Sequence, residues 1–158
     1  MPSYHIPGRA TLELEHLVLD YNGTLAVDGI LQPGTPLLLK SLSRNLHVHV
    51  VTADTFGKAR EQLESISEHL SLKILGSERQ DHQKADYVKK LGALKTAAIG
   101  NGANDALMLK SAIVGVAVIE EEGAASKSLF SADVVCRDSK SALNLFVHPK
   151  RLAATLRT

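Results

Sequence analysis

The chain has 158 residues, 44% apolar and 22% charged, with a formal net charge of +1. That length suits one domain with a substantial core, and the near-zero charge points to neither a nucleic-acid nor a membrane surface. One cysteine, Cys136, excludes an internal disulfide and fits a reducing compartment. No run approaches the roughly 18 apolar residues of a membrane span, and the N-terminus lacks a charged-then-apolar signal pattern. The expectation is a soluble cytoplasmic domain spanning 1–158. Scarce aromatics (4%, no Trp) argue against a stacking platform for bases or sugars.

In chain order, Ile6-Pro7-Gly8-Arg9 reads as a turn, and the strict alternation of Thr11 to Glu15 predicts an extra strand or an extension of the first one within residues 1–16. Leu17-Val18-Leu19 is a short buried strand. Val27-Asp28-Gly29-Ile30 carries a D-G turn between apolar residues, a hairpin signal. Apolar runs at Val48 to Val51, Leu72 to Leu75, Ala97 to Ile99, Val114 to Ile119 and Val134-Val135 then alternate with segments of helical period or propensity. Those segments are Pro36 to Asn45, Gly57 to His69, Gln83 to Leu91 and Asp105 to Ala112. Glu120-Glu121-Glu122 reads as a solvated helix start, and Cys136 falls in the last strand as a buried, inert thiol. The tail from Ser139 to Thr158 is helical and interrupted at Pro149, which removes a helix hydrogen bond. Near-continuous apolar strands alternating with helices predict an α/β fold: a three-layer, Rossmann-like domain around a mainly parallel sheet.

Ligands of open parallel sheets bind beyond the C-terminal strand ends, and the polar residues predicted there form a set. The first strand ends at Asp20, the second at Thr52 followed by Ala53-Asp54-Thr55, and a later one in Gly100-Asn101-Gly102-Ala103-Asn104-Asp105. Lys84 lies near the start of the helix before that strand. A carboxylate, a hydroxyl, a cation and an acidic glycine turn on one rim describe a phosphate site. The carboxylate can attack phosphorus, the hydroxyl and backbone N–H groups can hold phosphoryl oxygens, and acidic or amide oxygens can hold Mg²⁺.

The set resembles the haloacid dehalogenase-like superfamily. DYNGTL is similar to its first motif, DxDGT, whose first aspartate is the nucleophile. Thr52 matches the second-motif hydroxyl, Lys84 the third-motif lysine, and GNGANDALML the fourth-motif pattern GDGxND, a segment also seen in P-type ATPases. Within the superfamily the chain looks like small, stand-alone, soluble P-type ATPase-like proteins. The resemblance implies a phosphohydrolase with catalytic Asp20, Asn22, Thr52 and Lys84, and an aspartyl-phosphate intermediate on Asp20. It implies a phosphate cradle of Asp20, Tyr21, Asn22, Thr52, Ala53, Lys84 and Asn104, and a Mg²⁺ site of Asp20, the Asn22 carbonyl, Asn101 and Asp105. Superfamily members often carry a cap domain, but the stretches from Asp20 to Thr52 and from Thr52 to Lys84 are filled by the hairpin, helices and strands of the core. A capless, open site implies a phosphorylated substrate, small or macromolecular, or a neighbouring subunit as lid in a homo-oligomer.

Two positions depart from the family pattern, and both are amides. Asn22 stands where the phosphatases have the general acid–base aspartate, and an amide cannot exchange that proton at useful pH. Loss of such help costs about 10²–10⁴ in rate. Asn101 stands where the pattern has a Mg²⁺-binding aspartate, and offers a carbonyl oxygen without the charge. Both create Asn-Gly pairs, a context prone to deamidation. The alternative reading is a non-catalytic module that binds Mg²⁺, phosphate or a protein partner; a dehalogenase is a third, which has no need of the Mg²⁺-type fourth motif. Plainer roles stand beside the sharp ones: Asp20 as a turn cap, Thr52 as a β-residue, Asp105 as a first-turn helix residue, Asp54 as a pocket residue or a helix cap. Lys89, Lys90 and Lys95 compete with Lys84. The seven histidines show no metal-ligand spacing, and His47 and His49 share one strand face.

Overall fold

The structure is a computed structural model that describes residues 2–158; Met1, the first residue of the expected N-terminal extension, lies outside them. The chain opens with β1 (Ser3–Tyr4) paired antiparallel to β2 (Leu12–Glu13), then β3 (His16–Leu19) and a hairpin of β4 (Ala26–Val27) and β5 (Ile30–Leu31). Next come α1 (Thr35–Leu42), β6 (His47–Thr52), α2 (Ala59–Gln62), β7 (Ser71–Ile74) and α3 (Gln80–Leu91). The chain closes with β8 (Thr96–Gly100), α4 (Ala106–Ser111), β9 (Val114–Val118), α5 (Ser126–Ser131), β10 (Val134–Cys136), α6 (Ser139–Val147) and α7 (Pro149–Leu156).

Six strands form one parallel sheet in the order β10-β9-β8-β3-β6-β7. Successive residues of β3 face opposite layers, as the strand period of two requires. Leu17 and Leu19 join Val48, Val50 and Ile99 in a core closed by α1, α6 and α7. Val18 joins Val51, Ala98 and Ala117 against α3 and α4. Burial on both faces accounts for the near-continuous apolar runs. Gly115 in β9 lets α4 lie close: an added Cβ would sit 2.9 Å from the Leu109 carbonyl carbon.

The chain leaves β3 toward β6 and β7 on one side, then returns to β8 on the other. This reversal makes the crevice beyond β3 the topological switch point, where ligands of such sheets bind. The tail divides at Pro149, which opens α7 in the first-turn position proline tolerates. Asp138 starts α6 by accepting the Ser141 N–H at 2.6 Å.

Three expectations differ. Gly57 to His69 is not one helix: after the single turn of α2 the chain runs as a 3₁₀ segment over Glu64–His69, broken at Ile66. Leu63 and Ile66, three apart, are both buried, a spacing that suits three residues per turn. Glu120-Glu121-Glu122 is a turn, not a helix start; Gly123 has φ 74 and α5 begins only at Ser126. Cys136 is half-buried rather than buried, and burial raises its thiol pKa. Among the described residues no helix is long and apolar enough to cross a membrane.

Candidate active site

The in-register pairing of Leu19 with Val50 on one side and Ile99 on the other brings three strand ends level. Asp20 follows directly, its N–H bonded to Ile99 O at 3.0 Å. Asp20, Asn22, Thr52, Ala53, Lys84, Asn101 and Asn104 thus line one cavity of about 210 Å³, with Thr55 and Gly102. Among the described residues no cap domain intervenes between these segments.

Lys84 decides the electrostatics. It rises from the first turns of α3, is 1% exposed, and reaches Asp20 Oδ1 at 2.6 Å and Asp105 Oδ1 at 2.7 Å. Lys89, Lys90 and Lys95 are exposed and make no such contact. Burial alone would depress the Lys84 ammonium; two carboxylates at contact outweigh it and hold its pKa above the ordinary value. The Asp20 pKa also moves up, but for a carboxyl that favours the neutral form. Burial first, then the nearby Asp105 charge, raise its carboxyl to about 6 despite Lys84 and the Tyr21 backbone N–H.

Asp105 is fully buried, and its second oxygen accepts the N–H groups of Asn101 and Gly102 at 3.0 and 2.9 Å. Its oxygens are occupied, and it lies behind Lys84 rather than in the cavity wall. Gly100 permits this: an added Cβ would lie 2.7 Å from Asp105 Oδ2. Tyr21 sends its side chain into the core, where its hydroxyl donates to Gly29 O at 2.9 Å and ties the hairpin down. Thr52 Oγ1 accepts the Asp54 N–H at 2.9 Å. Asp54, at φ 52, accepts the N–H groups of Lys58 and Ala59 at 3.0 Å each and so caps α2. Asn104 donates to Gln80 Oε1 at 3.3 Å.

The two amides are not equivalent. Asn101 uses both ends: Nδ2 donates to Gly123 O at 2.9 Å, and Oδ1 accepts from Thr24 Oγ1 at 3.3 Å. Asn22 Oδ1 is buried with no hydrogen-bond partner. Neither following glycine has a free N–H: Gly23 donates to Ala26 O at 2.8 Å and Gly102 to Asp105. That geometry opposes the backbone attack that deamidation needs.

Thr24 is the residue the set lacked. Buried, it stands 3.3 Å from both Asp20 Oδ2 and Asn101 Oδ1 and can donate its single proton to either. The threonine of DYNGTL was the available signal. Thr55 also lines the cavity, with no signal beyond its nearness to Thr52. Outside the site, His16 and His49 are 3.1 Å apart and His49 is 3.0 Å from the Tyr87 hydroxyl, a chain on the layer of α3.

The donors lining the cavity around Asp20 are oxygens alone: its carboxylate, the Asn22 backbone carbonyl and Asn101 Oδ1. Such a set fits a hard divalent cation that keeps most of its water. It supplies little charge, and among the described residues no three His, Cys, Asp or Glu side chains gather as a metal site.

No family model matches the chain. An uncharacterized protein of Methanocaldococcus jannaschii is 51% identical over 63 residues, 40% of this chain and 68% of that protein. The probable copper-exporting P-type ATPase of Archaeoglobus fulgidus is 36% identical over 98 residues, 61% of this chain but only 12% of the ATPase. Among solved structures, the 3-deoxy-D-manno-octulosonate 8-phosphate phosphatase of Moraxella catarrhalis, a complex with magnesium, phosphate and KDO, superposes with TM-score 0.70 at 16% identity. That match covers 91% of this chain and 94% of the other. The cobalt-bound deoxy-D-mannose-octulosonate 8-phosphate phosphatase of Haemophilus influenzae gives 0.71 at 17%, over 92% and 94%. A Legionella pneumophila protein assigned to the HAD superfamily, subfamily III A, gives 0.71 at 18%, over 90% and 87%. At these identities the likeness is one of fold.

Proposed function

We propose that the chain, which shares the fold of haloacid dehalogenase-like phosphatases, is a phosphohydrolase of that superfamily working through Asp20. The observation that carries the reading is the buried Lys84 held between Asp20 and Asp105 at the switch point of the sheet. Three desolvated charges are costly to maintain, and they place a carboxylate and a neutralising cation at the floor of an open polar cavity.

An Asp20 oxygen attacks phosphorus, the bond from phosphorus to the leaving oxygen breaks, and an aspartyl phosphate remains. Water then attacks that phosphorus, giving its proton to solvent; the bond from phosphorus to the Asp20 oxygen breaks, inorganic phosphate leaves and the carboxylate is regenerated. Lys84 offsets charge on the transferring group, and Thr52, the Tyr21 and Ala53 backbone and Asn104 hold its oxygens. Asp105 acts through Lys84, orienting the ammonium. Asn22 donates no proton, so the leaving oxygen takes one from solvent and both steps are slow. Asp20, the Asn22 carbonyl and Asn101 would hold a divalent metal, Mg²⁺ in the reading preferred here, which supplies Lewis-acid polarisation of the phosphoryl oxygens. Magnesium and cobalt in the phosphatases of like fold support this.

The two amides favour one second reading, a non-catalytic module that binds phosphate or a partner. Trapping separates the two. Incubated with acetyl phosphate and Mg²⁺, then acid-quenched, the protein should gain one hydroxylamine-labile phosphoryl group, absent from Asp20→Ala. No phosphoryl gain under any divalent metal would leave the binding module.

A further inference from the structure

A second cavity, of about 410 Å³, opens beside the first, and Asn104 lines both. Its walls carry Arg79, Gln80 and Asp81 from the entry to α3 and Lys127 from α5. Neither Arg79 nor Lys127 has a carboxylate within 4.0 Å among the described residues. Asp81 accepts the His82 N–H at 2.8 Å and meets the His82 ring at 2.9 Å; those bonds lead in lowering its pKa, and the Lys127 charge lowers it further without forming an ion pair within 4.0 Å.

The loop bearing Arg79 is held in advance of any ligand. Gln83 Nε2 donates to Gly76 O at 3.4 Å and to Glu78 O at 2.5 Å. Arg79 itself sits at φ 49, a left-handed conformation a side-chain-bearing residue adopts at a cost, and such strain clusters at functional sites. It immediately precedes the twelve-residue α3, whose N-terminal dipole adds positive potential.

We propose that this cavity, joined to the phosphoryl site through Asn104 and carrying the unpaired Arg79 and Lys127, is the leaving-group subsite and takes a leaving group with its own anionic substituent. The substrate class is a phosphate monoester bearing a carboxylate or a second phosphate. This rests on the phosphohydrolase reading, since the phosphoryl end must sit at Asp20. A planar guanidinium and an ammonium lining one cavity suit such an anion, and the open mouth admits a polar body between the two ends.

The test is equilibrium binding to the Asp20→Asn protein, where hydrolysis cannot consume the ligand. The probes are glycerol 3-phosphate, 3-phosphoglycerate and a glycerol bisphosphate. The anionic pair should bind about tenfold tighter than glycerol 3-phosphate, the scale of one charge-assisted hydrogen bond. Whichever of the two binds more tightly identifies carboxylate or phosphate as the anion, and either supports the subsite. Arg79→Gln and Lys127→Gln, both at exposed positions, should each reduce the preference and together erase it. Equal affinities in the parent, or a preference that survives the double variant, overturn the subsite while leaving the phosphoryl site standing. Failure of all three phosphates to bind overturns the phosphohydrolase reading and the subsite with it.

Discussion

Lys84 Nζ stands 2.6 Å from Asp20 Oδ1 and 2.7 Å from Asp105 Oδ1, with all three side chains buried. Its removal leaves two buried carboxylates facing each other with nothing to separate their charge. Lys84→Met should cost about 3–5 kcal/mol of stability, as does breaking a buried pair from one side. It should also abolish phosphate binding. Denaturant melts with and without inorganic phosphate read both. A variant as stable as the parent contradicts the assigned charges.

Asp20 attacks only as the carboxylate, and burial with the Asp105 charge raises its pKa from 3.8 to about 6. On the acid side kcat/KM should therefore fall about tenfold per pH unit once pH drops below about 6. The stability effect has the opposite sense. Between 3.8 and about 6 the folded state keeps a proton that the unfolded chain has released, so this group's contribution declines as pH rises through that window. Subtracting the stability profile of Asp20→Asn from that of the parent isolates it from other carboxylates.

Asn22 Oδ1 is buried without a partner. A carboxyl in that place would be disfavoured as an anion and poised as an acid. Asn22→Asp should raise turnover of an aryl phosphate by about 10²-fold or more, the lower bound for restored general acid–base help. Single-turnover kinetics should show faster loss of the phosphoenzyme; unchanged kinetics would place the slow step elsewhere.

Asn101 donates to Gly123 O and accepts from Thr24. Asn101→Asp loses the donor and sets a carboxylate against a carbonyl, which should cost about 1–3 kcal/mol in metal-free buffer. The added charge strengthens the cation site, so millimolar Mg²⁺ should raise the variant's melting temperature more than the parent's. Equal shifts would show that Asn101 does not face the cation.

Much of this was readable in the residues because parallel strands buried on both faces write themselves as apolar runs, and their polar successors fall at one rim. Asp20, Thr52, Lys84 and Asn101 follow from that rule together with the four motifs. What was hidden depends on tertiary closure. Ser3–Tyr4 carries no pattern of its own and becomes a strand only by pairing with Leu12–Glu13. Helical propensity across Gly57 to His69 yields to burial of Leu63 and Ile66 at a three-residue spacing. Gly123 ends the acidic run before a helix can start. Sequence places Asp105 at the rim; only packing shows it turned behind Lys84, with its second oxygen on backbone N–H groups.

The most direct test of the central claim is hydrolysis of an aryl phosphate by the parent protein, with and without Mg²⁺, beside Asp20→Ala. The account predicts slow turnover that requires Asp20 and a divalent cation together. Turnover equal in the parent and Asp20→Ala, or none in the parent under any divalent cation, would contradict it.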